Sequence, residues 1–244
     1  FVDSRRVARP DFRKTPGRMV NINCLGSALT DTKKDIIKAF FVFGGNPVNS
    51  VCNQAEMIRG LLREDLFTVV HERFLTDTAL YADILLPAVF SVEQTDCFKA
   101  YGYRTFSVGR KLVDPQGECK SNWDMFCFLA QAMGFEEEHF KRTEEEMLED
   151  LLSHPEQGLL ELTEDEWRKL RDNGTIRQPF GDHSHFKTPS GKLMIVNKEL
   201  EDPVPCYREP YGGEYPLRLI SVPDSHTLNS IFLERPDLVA KRGP

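Results

Sequence analysis

The sequence is short of positive charge. It has 31 lysines and arginines against 38 aspartates and glutamates, a net charge of −7 at pH 7. A general affinity for nucleic acid needs a basic footprint, so that class is excluded. No apolar run approaches the roughly 18 residues that span a bilayer, which argues against a transmembrane segment. The six cysteines (Cys24, Cys52, Cys97, Cys119, Cys127 and Cys206) never form C-x-x-C, so zinc-ribbon and iron–sulfur spacings are missing. The scattered thiols fit a reducing compartment, and a soluble, cytoplasmic chain is the expectation. The phosphate-binding signatures G-x-x-x-x-G-K-[ST] and G-x-G-x-x-G are absent as well. There is no initiator Met, and no apolar stretch follows the arginines of residues 1–18, so a signal peptide is not expected. The chain reads as a piece of something longer.

What is present is ordinary globular composition, 40% apolar and 28% charged over 244 residues, enough for one large or two small domains. The stretch KAFFVFGGNPVNS, Lys38 to Ser50, breaks from an apolar run into Gly44-Gly45-Asn46-Pro47. It reads as a strand buried on both faces and closed by glycine. The following residues carry Ala55, Ile58, Leu61 and Leu62 at helical spacing, with Asn49 or Ser50 as cap. LFTVVHE is a second buried strand, RFLTDTALYA a turn and short helix, and DILLPA a third strand closed by Pro87. This βαβ rhythm predicts a parallel sheet with right-handed crossovers, whose ligands bind beyond the strands' carboxyl ends.

Farther on, YGYRTFSVGRKLVD alternates like a strand pair. SNWDMFCFLAQAMGF predicts a helix capped by Ser121 or Asn122, with Trp123, Phe126, Cys127 and Ala130 on one face. TEEEMLEDLLSH predicts a helix capped by Thr143, and LTEDEWRKLRDNG another with a glycine stop. HFKTPSGKLMIVNK reads as a hairpin, EDPVPCYREPYGGEYP as a linker, and LRLISV as a new strand. The expected organisation is a lead-in over 1–36, an α/β region over 37–200, a linker over 201–214, and a further domain begun at 215–244. The fold class is α/β: a parallel sheet with flanking helices, an αβα dinucleotide-binding-like layer arrangement.

Three loops are candidates for ligand contact: 44–50, 71–78 and 87–96. In the first, glycines let backbone pass close to a ligand, and Pro47 fixes a helix start. In the second, Glu72 follows a strand, where an acidic side chain accepts from ribose or purine edges. His71 opens the same loop, although a satisfied buried histidine is the commoner arrangement. Thr76 and Thr78 offer hydroxyls suited to phosphate or sugar; equally, Thr76 or Asp77 could cap the short helix. The third loop supplies Glu93, Gln94 and Asp96.

The segments FVFGGNPVNSVCNQ, LFTVVHERFLTDTALYADILLPA, SVEQTD, VDPQGECKSNWDMFCFLAQAMGF and FKTPSGKL, in this order, resemble the molybdopterin oxidoreductase family of the dimethyl sulfoxide reductase type. The phrase T-D-T-A-x-Y-A-D-I-L-L-P is the most specific piece. The resemblance covers nearly the whole chain and marks it as a central segment. It implies a bis-molybdopterin guanine dinucleotide cofactor carrying Mo or W, part of which is held by Gly45, Asn46 and Pro47. It implies that Glu72 faces the guanosine end and that Thr76 lies beside it; His71 and Asp96 complete the expected cofactor-binding set. No catalytic residue and no metal ligand is assigned. The resemblance also implies a 4Fe-4S cluster in a part preceding this sequence, a small-molecule substrate, an electron-transfer partner, and a β-barrel cap domain whose first strand is LRLISV. Where many members carry glycine in the third loop, this sequence has Glu93-Gln94-Thr95-Asp96. Two other readings compete: a metal-free structural homologue in an electron-transfer complex, and a plain nucleotide-binding α/β domain.

Overall fold

The computed structural model describes residues 19–33, 35–99, 103, 105–153, 163–177, 186, 188–198, 202–207, 209, 217, 220 and 230–241. The chain divides into two compact units, one of residues 1–177 with 224–244 and one of residues 178–223. The first unit holds a parallel sheet that starts from the expected apolar runs. A 3-10 turn at Ile22–Cys24 leads into helix α1 (Leu25–Thr30), followed by strand β1 (Ala39–Phe43). Then come α2 (Pro47–Ser50), α3 (Gln54–Leu61), β2 (Phe67–Glu72), a 3-10 turn at Ala79–Tyr81, and β3 (Ile84–Pro87). The strands lie in the order β1-β2-β3, all parallel. Ala39 pairs with Phe67 and Phe43 with His71; Val69 pairs with Ile84 and Glu72 with Pro87. All three strands therefore deliver their carboxyl ends to the same edge.

The sheet's cover comes from α1 and α3, which pack closely through glycines. A Cβ on Gly60 would stand 2.5 Å from the Leu29 Cβ, and one on Gly26 would stand 2.9 Å from the Met57 backbone nitrogen. Leu29, Val48, Met57, Leu61 and Leu66 form the core below them. Burial of such side chains contributes roughly 1.5–3 kcal/mol each. Arg63 ties this layer together, donating from Nη1 to the Leu29 carbonyl at 2.6 Å and from Nε to Asp65 at 2.9 Å.

A second, antiparallel sheet follows in the order β4-β5-β6, from β4 (Asp96–Lys99), β5 (Thr105–Gly109) and β6 (Thr175–Arg177). Between β5 and β6 run α4 (Asn122–Ala132), α5 (Glu144–Ser153) and α6 (Glu164–Asn173). Each begins with a side-chain cap: of the two candidates Ser121 takes the first, its Oγ accepting from the Asp124 N–H at 3.1 Å, Thr143 Oγ1 accepts from Glu146 as expected, and Thr163 forms a full capping box with Glu166. Gly174 ends α6 at φ +69°, a left-handed turn that glycine adopts freely. Phe106, Leu148, Trp167, Leu170 and Ile176 form this sheet's core. A short α7 (Pro236–Val239) closes the described residues of this unit.

Several expectations are corrected. One helix after the glycines becomes two, because Asn53 turns left-handed at φ +59° between α2 and α3. Asn46 and Asn53 occupy the cap positions instead of Asn49 or Ser50, and neither side chain makes a capping bond. β1 is not buried on both faces: of its five residues only Val42 is buried. Among the described residues it is an edge strand, so within the parallel sheet only β2 has neighbours on both sides. The predicted strand pair starts earlier, at Asp96 instead of Tyr101. In α4 the buried residues are Met125, Cys127 and Ala130, while Phe126 leans across the sheet with its ring 5.6 Å from Phe41 and 5.2 Å from Phe43. In the second unit a turn is present, Gly191 N–H donating to the Thr188 carbonyl at 3.0 Å, but the described residues that follow form no strand. The expected strand LRLISV lies outside the described residues, save Leu217 and Ile220.

Candidate functional site

The carboxyl edge of the parallel sheet gathers the first two candidate loops. β1 runs out at Phe43, and the Gly44 N–H donates to the His71 carbonyl at 3.1 Å, so the loop leaves the sheet in register with β2. Gly44 then turns at φ +56°, with no atom within 4 Å of where a Cβ would stand. At Gly45 the nearest atoms to such a Cβ are 3.9 Å away. The outer face of the turn is thus open. The N–H groups of Gly45 and Asn46 make no hydrogen bond among the described residues. Backbone donors of this kind suit an anionic oxygen. Pro47 takes the first position of α2, where its missing N–H costs nothing.

Asn46 is the joint between the two loops. It is buried, and its Oδ1 accepts from both the Thr78 hydroxyl at 2.7 Å and the Thr78 N–H at 3.1 Å. Its Nδ2 donates to Asp77 Oδ2 at 3.3 Å, and the Asn49 amide donates to the same oxygen at 2.8 Å. The Asn49 amide first, and the Asn46 amide with it, hold the Asp77 carboxyl below the usual carboxylate range. Thr78 is fully buried, and its hydroxyl also accepts from the Val48 N–H at 3.1 Å. The expectation that Thr78 offers its hydroxyl to a ligand is therefore corrected: its oxygen is committed to Asn46 and Val48.

Glu72 and Thr76 stand differently. Only 8% of the Glu72 side chain is exposed; its Oε1 accepts from the Arg73 N–H at 2.8 Å and from Arg73 Nε at 3.3 Å. Its second oxygen has no hydrogen bond among the described residues. The Thr76 hydroxyl accepts from the Ala79 N–H at 3.3 Å, which is the helix-capping arrangement, and its own proton stays free to donate. Beside them, Phe74 and Phe90 meet edge to face at 5.5 Å, with the Arg73 guanidinium 5.8 Å from the Phe90 ring. Sequence reasoning missed this aromatic pair; two phenylalanines sixteen residues apart in different loops carry no local signal.

His71 lies inward. It has no exposed surface, and its ring nitrogens sit 3.1 Å from Asn122 Oδ1 and 3.1 Å from the Lys120 carbonyl. It fastens the end of β2 to the start of α4, next to an apolar cavity of about 320 Å³ lined by Phe41, Leu86 and Met125.

The third loop meets the second at Ala88, whose N–H donates to the Glu72 carbonyl at 3.2 Å, and at Phe90, but its acidic side chains turn elsewhere. Glu93 is buried and accepts from the Phe90 N–H at 2.7 Å and the Gln116 N–H at 3.3 Å. Asp96 opens β4, accepting from the Cys97 N–H at 2.7 Å, and faces a separate cavity of about 480 Å³ with Cys97, Trp123, Glu144 and Met147. Burial, and then the Asp96 charge, push the Cys97 thiol up to about 11. Burial raises Glu144 as well, opposed by bonds from Ser121 and the Thr95 N–H. Among the described residues, no group of three His, Cys, Asp or Glu side chains is arranged to hold a metal ion, and no helix is long and apolar enough to cross a membrane.

The family profile for molybdopterin oxidoreductases matches residues 15–132. The probable oxidoreductase YoaE of Bacillus subtilis is 36% identical over 239 residues, covering 94% of this chain and 35% of that protein. Dimethyl sulfoxide reductase DmsA of Escherichia coli is 28% identical over 226 residues, covering 75% of this chain and 27% of that one. The structure of acetylene hydratase from Pelobacter acetylenicus superposes with a TM-score of 0.61 at 28% identity, over 82% of this chain and 28% of that one. The chain thus spans about a third of the length of the relatives it matches.

Proposed function

Because the chain belongs to the molybdopterin oxidoreductase family, we propose that the loops at the carboxyl edge of its parallel sheet hold part of one pterin guanine dinucleotide of a bis-molybdopterin guanine dinucleotide cofactor. When bound, the metal–pterin group, with molybdenum or tungsten, supplies a two-electron redox couple, often coupled to oxygen-atom transfer. The observation that carries the reading is the open outer face of Gly44 and Gly45, locked through buried Asn46 to the loop that presents Glu72 and Thr76. Room for a ligand, two free backbone donors, a free carboxylate oxygen and a free hydroxyl proton lie along one sheet edge, and that donor set fits a phosphate-bearing nucleotide.

The residues divide the work. Gly45 and Asn46 donate backbone N–H groups toward the diphosphate, and Pro47 fixes the turn that aims them. The free Glu72 oxygen accepts from N–H or O–H groups at the guanosine end, and Thr76 donates its hydroxyl proton. His71, with both nitrogens occupied, serves by holding the end of β2. Asp96 is assigned to the same cofactor from the second sheet. Relatives named for acetylene and for dimethyl sulfoxide share this segment, so it serves the cofactor instead of the choice of substrate. Substrate, electron partner, metal ligand and any 4Fe-4S cluster are assigned to other parts of a longer protein. Within this one, residues 37–200 are the dinucleotide-binding region, 201–214 a linker and 215–244 the start of a cap domain.

The test uses the full-length protein from a host that makes the cofactor. We expect one molybdenum or tungsten and two guanine nucleotides per chain, and Glu72→Ala should lower guanine and metal content while the melting temperature holds. Full occupancy in Glu72→Ala removes Glu72 from the site, and a folded wild-type protein without metal or guanine refutes the reading.

A further inference from the structure

We infer that Thr78, which touches no ligand itself, is the positioning residue that sets the dinucleotide-binding loop before any cofactor arrives. The inference rests on the proposed function for the word dinucleotide, and on geometry alone for the positioning.

Thr78 sits just before the 3-10 turn Ala79–Tyr81, where a threonine ordinarily caps the turn with its side chain. Here the side chain makes no such bond. The hydroxyl proton goes to Asn46 Oδ1 at 2.7 Å, and the hydroxyl oxygen accepts from the Val48 N–H at 3.1 Å. The Thr78 N–H adds a second bond to Asn46 Oδ1 at 3.1 Å. Three bonds thus link one residue to a loop 30 to 32 positions earlier in the chain. Thr78 has no exposed surface, so water cannot replace any of them. A buried donor and acceptor left unmatched would each be costly, so the arrangement resists half-open states.

The consequence falls on Asn46 and its neighbours. With Oδ1 doubly held, the amide has one orientation, which turns Nδ2 toward Asp77. With the Val48 N–H also held, residues either side of Pro47 are fixed. The free N–H groups of Gly45 and Asn46 then keep their direction without a ligand, and a ligand binding them need not supply the ordering free energy.

The test compares Thr78→Val and Thr78→Ser with wild type in the full-length protein. It uses hydrogen–deuterium exchange over residues 44–50 and guanine nucleotide released by acid hydrolysis. We expect Thr78→Val to speed exchange at Val48 by about tenfold, the loss of one buried hydrogen bond. It should also lower guanine content. Thr78→Ser should restore both, which a purely space-filling role for the methyl group would not allow. Wild-type protein from a host unable to make the cofactor should already protect Val48. Unprotected Val48 in that folded protein overturns the inference, and this arm stands even if Thr78→Val does not fold. Faster exchange with full guanine content in Thr78→Val also overturns it. A wild-type protein that protects Val48 yet never carries guanine refutes the proposed function and, with it, the role toward a dinucleotide, while leaving the link between the loops intact.

Discussion

Replacing Asn46 with aspartate should produce a loss of stability that depends on pH. Asn46→Asp keeps the Oδ1 acceptor that Thr78 needs, but turns the amide into a second oxygen facing Asp77 Oδ2, now 3.3 Å from Nδ2. Two unit charges at that distance repel by about 1.3 kcal/mol in bulk water and about 5 kcal/mol at an effective dielectric of about 20. Asp77 is exposed and Asn46 is buried, so we take an intermediate cost of about 2–3 kcal/mol. Burial and the neighbouring carboxylate both raise the introduced group's pKa in the folded state. Stability relative to wild type is therefore nearly complete below the unfolded carboxyl pKa, about 3.9, and is lost as pH rises through the folded value. Asp77 keeps the Asn49 amide, the first of the two donors that favour its charged form. At low pH the protonated group donates to Asp77 as the amide did. Urea unfolding should show the full deficit at pH 7.5 and less than about 1 kcal/mol at pH 4.5. Asn46→Ala, which only loses bonds, should show a deficit insensitive to pH. Equal losses for Asn46→Asp at both pH values would refute the charge argument.

Two further outcomes concern the body of the fold. Gly60→Ala should destabilise despite a helix-propensity gain of up to about 1 kcal/mol, because the new Cβ would stand 2.5 Å from the Leu29 Cβ; we expect a net loss of about 1–2 kcal/mol. Leu29→Ala retains the opposing Cβ and should not relieve it; a Gly60→Ala protein melting at or above wild type would show that α1 and α3 can separate freely. Cys97, with its thiol pushed up to about 11, should react with iodoacetamide at pH 8 about a hundredfold more slowly than exposed Cys24 or Cys52. Because that pKa is raised on folding, its contribution to stability is complete below the ordinary thiol range and falls as pH climbs toward 11. Labelling of all three at one rate would contradict the burial of Cys97.

The parallel sheet was legible because its signals are local. AFFVF, FTVVHE and ILLP are apolar runs stopped by Gly44, polar residues and Pro87, and the structure places β1, β2 and β3 on them. Helix starts at Ser121, Thr143 and Thr163 were legible for the same reason. The inward face of α4 was not, since Trp123, Met125, Phe126, Cys127, Phe128 and Leu129 leave apolar residues almost all round it, and periodicity cannot choose between them. Nor was β6, three residues whose partner β5 lies about seventy positions earlier. At the site, the loops could be read from Gly, Asn and Pro, but the inward commitment of Thr78 could not. A hydroxyl beside a strand end reads the same whether it faces a ligand or a neighbouring asparagine, and only the pairing of β1 with β2 decides.

The Asn46–Thr78 pairing also limits how this sequence can vary. Position 78 must donate to one atom and accept from another within a space closed to solvent, and among the small side chains the hydroxyls of threonine and serine meet that demand. Position 46 must place a carbonyl oxygen and an amide on the same γ-carbon; glutamine carries them one methylene too far, and aspartate lacks the amide. Beyond the exchange of threonine for serine, a change at position 78 strands buried polar atoms of the Asn46 loop, and a change at position 46 that removes the Oδ1 acceptor strands those of Thr78. Two positions in separate loops thus form a single heritable unit.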